Sequence, residues 1–390
     1  MQKETYEKTK YIPFAWICII LILFPPVLDV IFGIANIPVP AYLFAIGLSI
    51  IILTTAINNY IYKADFYSLR IFSFLIFFIW IFCGKLYSIS TNYVDEKNLS
   101  ISYLILAPVI VIISSNYFLG NFTNATIYFE KKAELVSKAM IVFFVITLLF
   151  FHDLSFGRIV LPGLNNPIWL TRHIGMLVLI LFYSLFEKGN FQFNFIFFII
   201  TGLICMLIVG SRTPVISLLF CILILRFKHH SLFKNIFFIF IFVVLGYIAS
   251  VFFSDSYVFD TDFYSLYERV EYLVFVNSTN FDSLIGIGTG GFGVFFSRFD
   301  ERIYPHNIFL EIFVENGLIG LVLFLIPLIF YLWKSKLDLI KILVVYTFVN
   351  TLTSGDIPGN NVFFLLLFVG LVKSWSRSID LKKIENKNKK

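Results

Sequence analysis

Charge is what this sequence is short of. Only 14% of its 390 residues are Asp, Glu, Lys or Arg, while 59% are hydrophobic and 19% aromatic, with 50 Phe. A soluble domain carries about a quarter charged residues and could not cover this much apolar surface. Water-soluble enzymes and nucleic-acid-binding modules are therefore excluded. Cysteine is scarce too. Cys18, Cys83, Cys205 and Cys221 all fall in apolar runs without CxxC spacing, which excludes a disulfide framework and a zinc site. We expect no metal and no resident cofactor. No small-residue cleavage site follows the first apolar run, so that run reads as a retained span rather than a signal peptide.

What the chain has instead is a series of apolar runs near span length, at 11–32, 38–56, 69–86, 99–117, 137–152, 167–186, 191–209, 213–227, 234–253, 306–332, 339–353 and 361–373. The expectation is an all-α polytopic membrane protein, one domain over residues 1–390, with about 12 transmembrane helices. With both termini cytoplasmic, 22 of the 30 basic residues fall on the cytoplasmic side and eight on the other, as the positive-inside rule requires. The chemistry of the cations also changes sides. Of the 22, 19 are Lys; six of the eight, Arg158, Arg172, Arg212, Arg269, Arg298 and Arg302, are Arg. A solvated orienting charge can be Lys, whereas binding a carboxylate or phosphate favours the guanidinium fork. These arginines are candidate anion-binding residues, the alternative being interfacial snorkelling or pairing with acids.

One long connection, 254–305, separates the ninth and tenth spans. Its aromatic content argues for a folded cap, with an amphipathic helix expected over 264–276. The tail 374–390 is basic and reads as a cytoplasmic end.

Four motifs follow. Gly210-Ser211-Arg212-Thr213-Pro214 places a turn, a helix start and an arginine together, an anion site in outline. Pro305-His306-Asn307 opens the tenth span, and His306 is the one histidine of five placed at a helix start after the long loop. The dipole end would hold its imidazole neutral, as a general base requires. Glu311 and Glu315 follow on one helical face and must point into the bundle, as a structural polar network or as part of the site. Asn165-Asn166-Pro167 leads to Arg172, an arginine inside a span that implies a polar cavity, shared with Arg158. Gly286-Ile287-Gly288-Thr289-Gly290-Gly291-Phe292-Gly293 contains G-x-G-x-x-G without a βαβ unit, so it is no dinucleotide site; its glycines form a turn or admit a ligand to the backbone.

In order and spacing, Gly210-Ser211-Arg212, Gly286-Ile287-Gly288 with Gly290 and Phe292, and Pro305-His306-Asn307 with Leu310-Glu311, Glu315 and Gly317 resemble the O-antigen polymerase and O-antigen ligase superfamily. The resemblance implies a metal-independent, inverting glycosyltransferase of the bacterial inner membrane, using undecaprenyl-diphosphate-linked oligosaccharide on the periplasmic face. It puts Arg212 and Arg269 on the donor diphosphate and His306 at the acceptor hydroxyl. Ser211, Asn307, Glu311, Glu315, Arg158, Arg172, Arg298 and Arg302 then become substrate-binding candidates. A chain-length regulator protein and the lipid bilayer are the implied partners, with no nucleic acid. The loop is short for a ligase, which tilts the expectation to polymerase. A ligase acting on lipid A–core is the alternative, and a lipid-linked oligosaccharide transporter, which would show inverted repeats and midplane charges, ranks below both.

Overall fold

The structure, a computed structural model, describes residues 12–37, 41–57, 69–84, 88, 95, 97, 101, 104–111, 122–155, 158–164, 166–188, 193–229, 260–279, 281–297 and 303–388. Helix dominates these residues, as apolar segments without water must satisfy their backbone internally. In chain order they are α1 (Ile12–Leu23), α2 (Pro25–Ile34), α3 (Ala41–Ile57), α4 (Leu69–Gly84), α5 (Phe122–Phe150), α6 (Pro167–Lys188), α7 (Phe193–Val209) and α8 (Arg212–His229). After them come α9 (Asp260–Ser278), α10 (Phe292–Ser297), α11 (Ile308–Lys334), α12 (Leu339–Thr351), a 3-10 turn Pro358–Asn360, and α13 (Asn361–Asn388). One departure from an all-α chain is a hairpin between α5 and α6, where β1 (Asp153–Ser155) pairs antiparallel with β2 (Arg158–Val160).

The protein is a membrane-embedded helical bundle, but the count of about twelve crossings is not what the described helices show. Three, Ile127–Phe150, Pro167–Glu187 and Ile308–Lys334, are long and apolar enough to cross. A fourth crossing exists if α1 and α2, bent by 56°, are one broken span. The bend falls at Pro25 and Pro26, which supply no N–H to the helical ladder. The apolar stretches Leu43–Leu53, Phe74–Gly84, Phe193–Val209 and Leu339–Thr351 are helical yet shorter. At 1.5 Å per residue, helices of 10–17 residues fall below the ~30 Å hydrocarbon thickness. The expected ninth span, 234–253, lies outside the described residues, as does the start of the long loop.

α6 is the hub, packed against α5, α7, α8 and α12, while α11 packs on α4 and α13. The core is one continuous cluster of Ile, Leu and Phe, with Phe74, Phe77, Phe78, Phe324 and Phe364 in edge-on and tilted contacts between α4, α11 and α13. Arg172 near the start of α6 bonds to Asn350 in the last turn of α12 and to Ser354 just after it, and Asn307 at the start of α11 bonds to Leu352. One end of the bundle therefore gathers the starts of α6 and α11 with the α12–α13 connection. The antiparallel α6–α7 pair returns the start of α8 to that end as well. Lys334, Lys341 and Lys373 lie at the opposite end, where Lys373 pairs with Asp338 at 3.1 Å.

Within the long loop, α9 covers the segment expected to be helical and extends it at both ends. Its Tyr272 and Phe275 pack on Phe292, Phe295 and Phe296 of α10, and Phe281 on Phe313 of α11. This second, smaller core seats the cap on the bundle. α13 continues as helix to Asn388, so the basic tail extends the last apolar helix.

Candidate active site

α11 is two helices in one. Gly317 adopts φ 66° and ψ −171°, which breaks the helix where its ladder would run from Leu318 and Ile319 to Val314 and Glu315. The glycine-rich loop repairs the break. Leu318 and Ile319 donate instead to the carbonyls of Ser283 and Leu284 at 2.8 and 3.2 Å, and the Val314 and Glu315 carbonyls accept from Ile287 and Gly288 at 3.0 and 2.9 Å. Each orphaned group is thereby paired, as buried backbone requires. The contact leaves no room for side chains: a Cβ on Gly286 would sit 2.5 Å from the Glu315 carbonyl, and one on Gly317 would run into Leu284. Gly286, the first glycine of the G-x-G-x-x-G run, brings the loop backbone against α11 itself, and Gly288 lies against Ser88.

Around this splice lies a buried charge cluster. The ammonium of Lys97 reaches Glu311 Oε1 at 2.6 Å and Glu315 Oε1 at 2.8 Å, and these side chains are at most 1% exposed. Glu311 Oε1 also accepts from Ile357 N (3.1 Å), and Glu315 Oε1 from Phe292 N (3.3 Å). The Thr289 hydroxyl lies within hydrogen-bond distance of the Ile81 carbonyl (2.7 Å) and of Asn316 Oδ1 (2.9 Å), and Trp80 Nε1 donates to the Asn316 carbonyl. The two glutamates do face the bundle interior, and they act there as a network that fastens the Lys97 segment, the cap and the α12–α13 connection to α11.

His306 stands at the end of this assembly. Its φ of 54° puts a non-glycine residue in the left-handed region, a strain of about 1–3 kcal/mol that persists only where surroundings impose it and that gathers at functional sites. Pro305 before it is buried. Asn307 after it caps α11, its Oδ1 accepting from Phe309 N (3.0 Å) and Leu310 N (3.2 Å) while its Nδ2 donates to Leu352 O (3.2 Å). Asn307 is thus occupied in positioning the helix start. The half-buried imidazole lies 4.6 Å, ring to ring, from Tyr304 and 6.5 Å from Tyr272 of α9. Arg269 is three residues before Tyr272 on the same helical face, half-buried. Arg269 therefore lies one helical turn along α9 from the tyrosine that faces His306.

Arg212 and Ser211 open α8 at the same end of the bundle, with Ser211 buried and Arg212 exposed. α8 packs chiefly on α6 and α12. The side chain of Arg158 on β2 is outside the described residues, as are Arg298 and Arg302.

Arg172 organises a second polar layer. Its Nη1 donates to Asn360 Oδ1 (3.1 Å) and its Nη2 to the carbonyls of Asn350 and Ser354 (2.6 Å each). Tyr346 donates to the Arg172 carbonyl (3.0 Å), and Asn360 Nδ2 to the Asp356 carbonyl (2.9 Å). A cavity of about 280 Å³ opens beside this guanidinium, where an arginine inside a span had implied one.

The sequence reading missed Lys97, which it counted only as a loop charge, and the whole of residues 350–361. The signal was present in Ser354-Gly355-Asp356-Ile357-Pro358-Gly359-Asn360-Asn361, a polar, turn-forming run between two apolar segments. Among the described residues no three His, Cys, Asp or Glu side chains gather as a metal-binding group. The chain matches no protein-family model and no curated protein.

Proposed function

We propose that the protein is a surface-polysaccharide polymerase: a membrane glycosyltransferase that moves a growing glycan from undecaprenyl diphosphate onto a lipid-linked repeat unit. The bundle would have about twelve crossings, with the His306 end facing the periplasm of a bacterial inner membrane. The observation that carries this reading is His306 itself, held in a left-handed conformation at a helix start, between Tyr304 and Tyr272 of α9, the helix that also carries Arg269.

In the proposed step the acceptor hydroxyl oxygen attacks the anomeric carbon of the donor. The bond from that carbon to the diphosphate oxygen breaks, the hydroxyl proton passes to His306, and the diphosphate leaves with its lipid. Attack opposite the leaving group inverts the anomeric centre. Arg269, with Arg212 at the same end of the bundle, offsets the charge gathering on the diphosphate. A positioned general base contributes about 10²–10⁴-fold to rate. His306→Ala should therefore insert normally yet leave surface glycan as a single capped repeat on electrophoresis, with Arg269→Ala and Arg212→Ala shortening the ladder in the same direction. A full-length ladder from the His306 variant rejects the proposal. Bare core with accumulated lipid-linked polymer would instead identify a ligase.

A further inference from the structure

The cavity beside Arg172 is built for something other than the diphosphate. Of the five N–H donors of a guanidinium, three are already engaged by Asn360, Asn350 and Ser354, and the acid Asp29 lines the same space. A dianion would meet a guanidinium with three of its five donors already engaged, and a carboxylate beside it. What remains is a mixed set of neutral donors and acceptors around one aromatic plate. Trp169 presents its indole, and Asn350, Asn360 and Asn361 contribute amides. Asn350 Oδ1 is buried without a hydrogen-bond partner, and Asn350 itself is 1% exposed. His173 Nδ1 bonds the Trp169 carbonyl at 2.8 Å, and since a carbonyl only accepts, Nδ1 carries the proton and Nε2 is left as an acceptor.

We infer that this cavity is a subsite for one uncharged pyranose ring of the glycan, with Trp169 beneath its C–H face and Asn350, Asn361 and His173 Nε2 meeting its hydroxyls. Amides and imidazole can each donate to or accept from ring hydroxyls, and the flat indole matches the apolar face of a sugar. At about 280 Å³ the space admits a single ring rather than an extended oligosaccharide. Arg172 acts here as a positioning residue that holds the Asn350 and Asn360 segments in place. The subsite lies at the same end of the bundle as His306, linked to it through Leu352 and Asn307, so it would set which sugar is presented for transfer.

This inference rests on the glycan reading above, and its test separates the two. Full-length protein in detergent is titrated with glucose, galactose, N-acetylglucosamine, glucuronate and inorganic pyrophosphate, with binding followed by saturation-transfer NMR. At least one uncharged sugar should bind. Trp169→Leu and Asn361→Ala, which leave the partners of Arg172 intact, should each weaken that binding about tenfold while thermal unfolding stays at the parent value. Binding of pyrophosphate or glucuronate alone, binding indifferent to both substitutions, or no binding at all overturns the inference. If His306→Ala reduces surface glycan to one repeat but no Trp169-dependent sugar binding is found, the subsite fails alone. If the sugar binds through Trp169 while the His306 variant keeps a full ladder, the polymerase reading fails and the subsite stands.

Discussion

Lys97 shows how much one side chain can hold together. Its ammonium is the shared partner of Glu311 and Glu315, all three almost wholly inaccessible. Removing one member of such a cluster leaves charge that the surroundings cannot solvate, a cost of about 3–5 kcal/mol. Lys97→Met should therefore lower the thermal unfolding temperature in detergent sharply. Adding Glu311→Gln and Glu315→Gln to it should recover part of the loss, since the amide oxygens can still accept from Ile357 and Phe292. A single Lys97→Met variant as stable as the parent would show that the cluster contributes nothing. Sequence reading could predict that the glutamates point inward, because acids four apart on an apolar helix have no other tolerable direction. It could not name their partner. Lys97 is more than two hundred residues distant in the chain and sits among ordinary loop charges, and such pairing is set by tertiary packing alone.

At the scale of elements, the decisive feature is the splice between the glycine-rich loop and the broken α11. The sequence motif was legible, but its meaning depended on other segments: Gly286 is small because α11 comes within contact of it, Gly288 because Ser88 does, and α11 is broken because Gly317 lets it be. The two halves can be tested together. Gly317→Ala places a side chain at positive φ and against Leu284, and Gly286→Ala drives one into the Glu315 carbonyl. Each should cost about 1–3 kcal/mol, read as a lower unfolding temperature and reduced yield of monodisperse protein. Gly47→Ala is the control. That glycine lies in α3 with nothing within 4 Å of an added Cβ, so the exchange should be neutral or stabilising by up to about 1 kcal/mol. Equal behaviour of all three variants would remove the splice as an explanation for the motif. The cap helix was also legible, but not its packed face: Val270 and Leu273, which carried the apolar spacing, are exposed, and Tyr272, Phe275 and Val276 make the contacts. That Tyr272 would reach His306 was not legible either, since nothing local in α9 specifies where its aromatic face docks.

For the whole molecule, the sequence's main resource was the distribution of its few charges. The partition into a lysine-rich and an arginine-rich set survives in the described bundle as a separation between its two ends, with Lys373 and Lys341 at one and Arg172 and Arg269 at the other. The count of crossings did not survive so well, because a hydropathy window is blind to what stops a helix. Pro25 and Pro26 bend the first apolar run, and several other runs form helices too short to cross alone. α11 is the element that decides orientation. It runs from the His306 end, past the break at Gly317 where Ser283 is bonded to Leu318, to Lys334; if it crosses a bilayer, the cap segment bearing Ser283 and the residues just past Lys334 lie on opposite sides. Ser283 and Lys336 are both exposed. The native cysteines offer little background: Cys18, Cys205 and Cys221 are buried, and Cys83 is half-buried. With the lysines cytoplasmic, Ser283→Cys should react with a membrane-impermeant maleimide in intact spheroplasts, and Lys336→Cys only after permeabilisation. The reverse pattern would put the His306 end in the cytoplasm and reject the periplasmic orientation proposed for it. Labelling of both from one side would mean that α11, despite its length, does not cross at all.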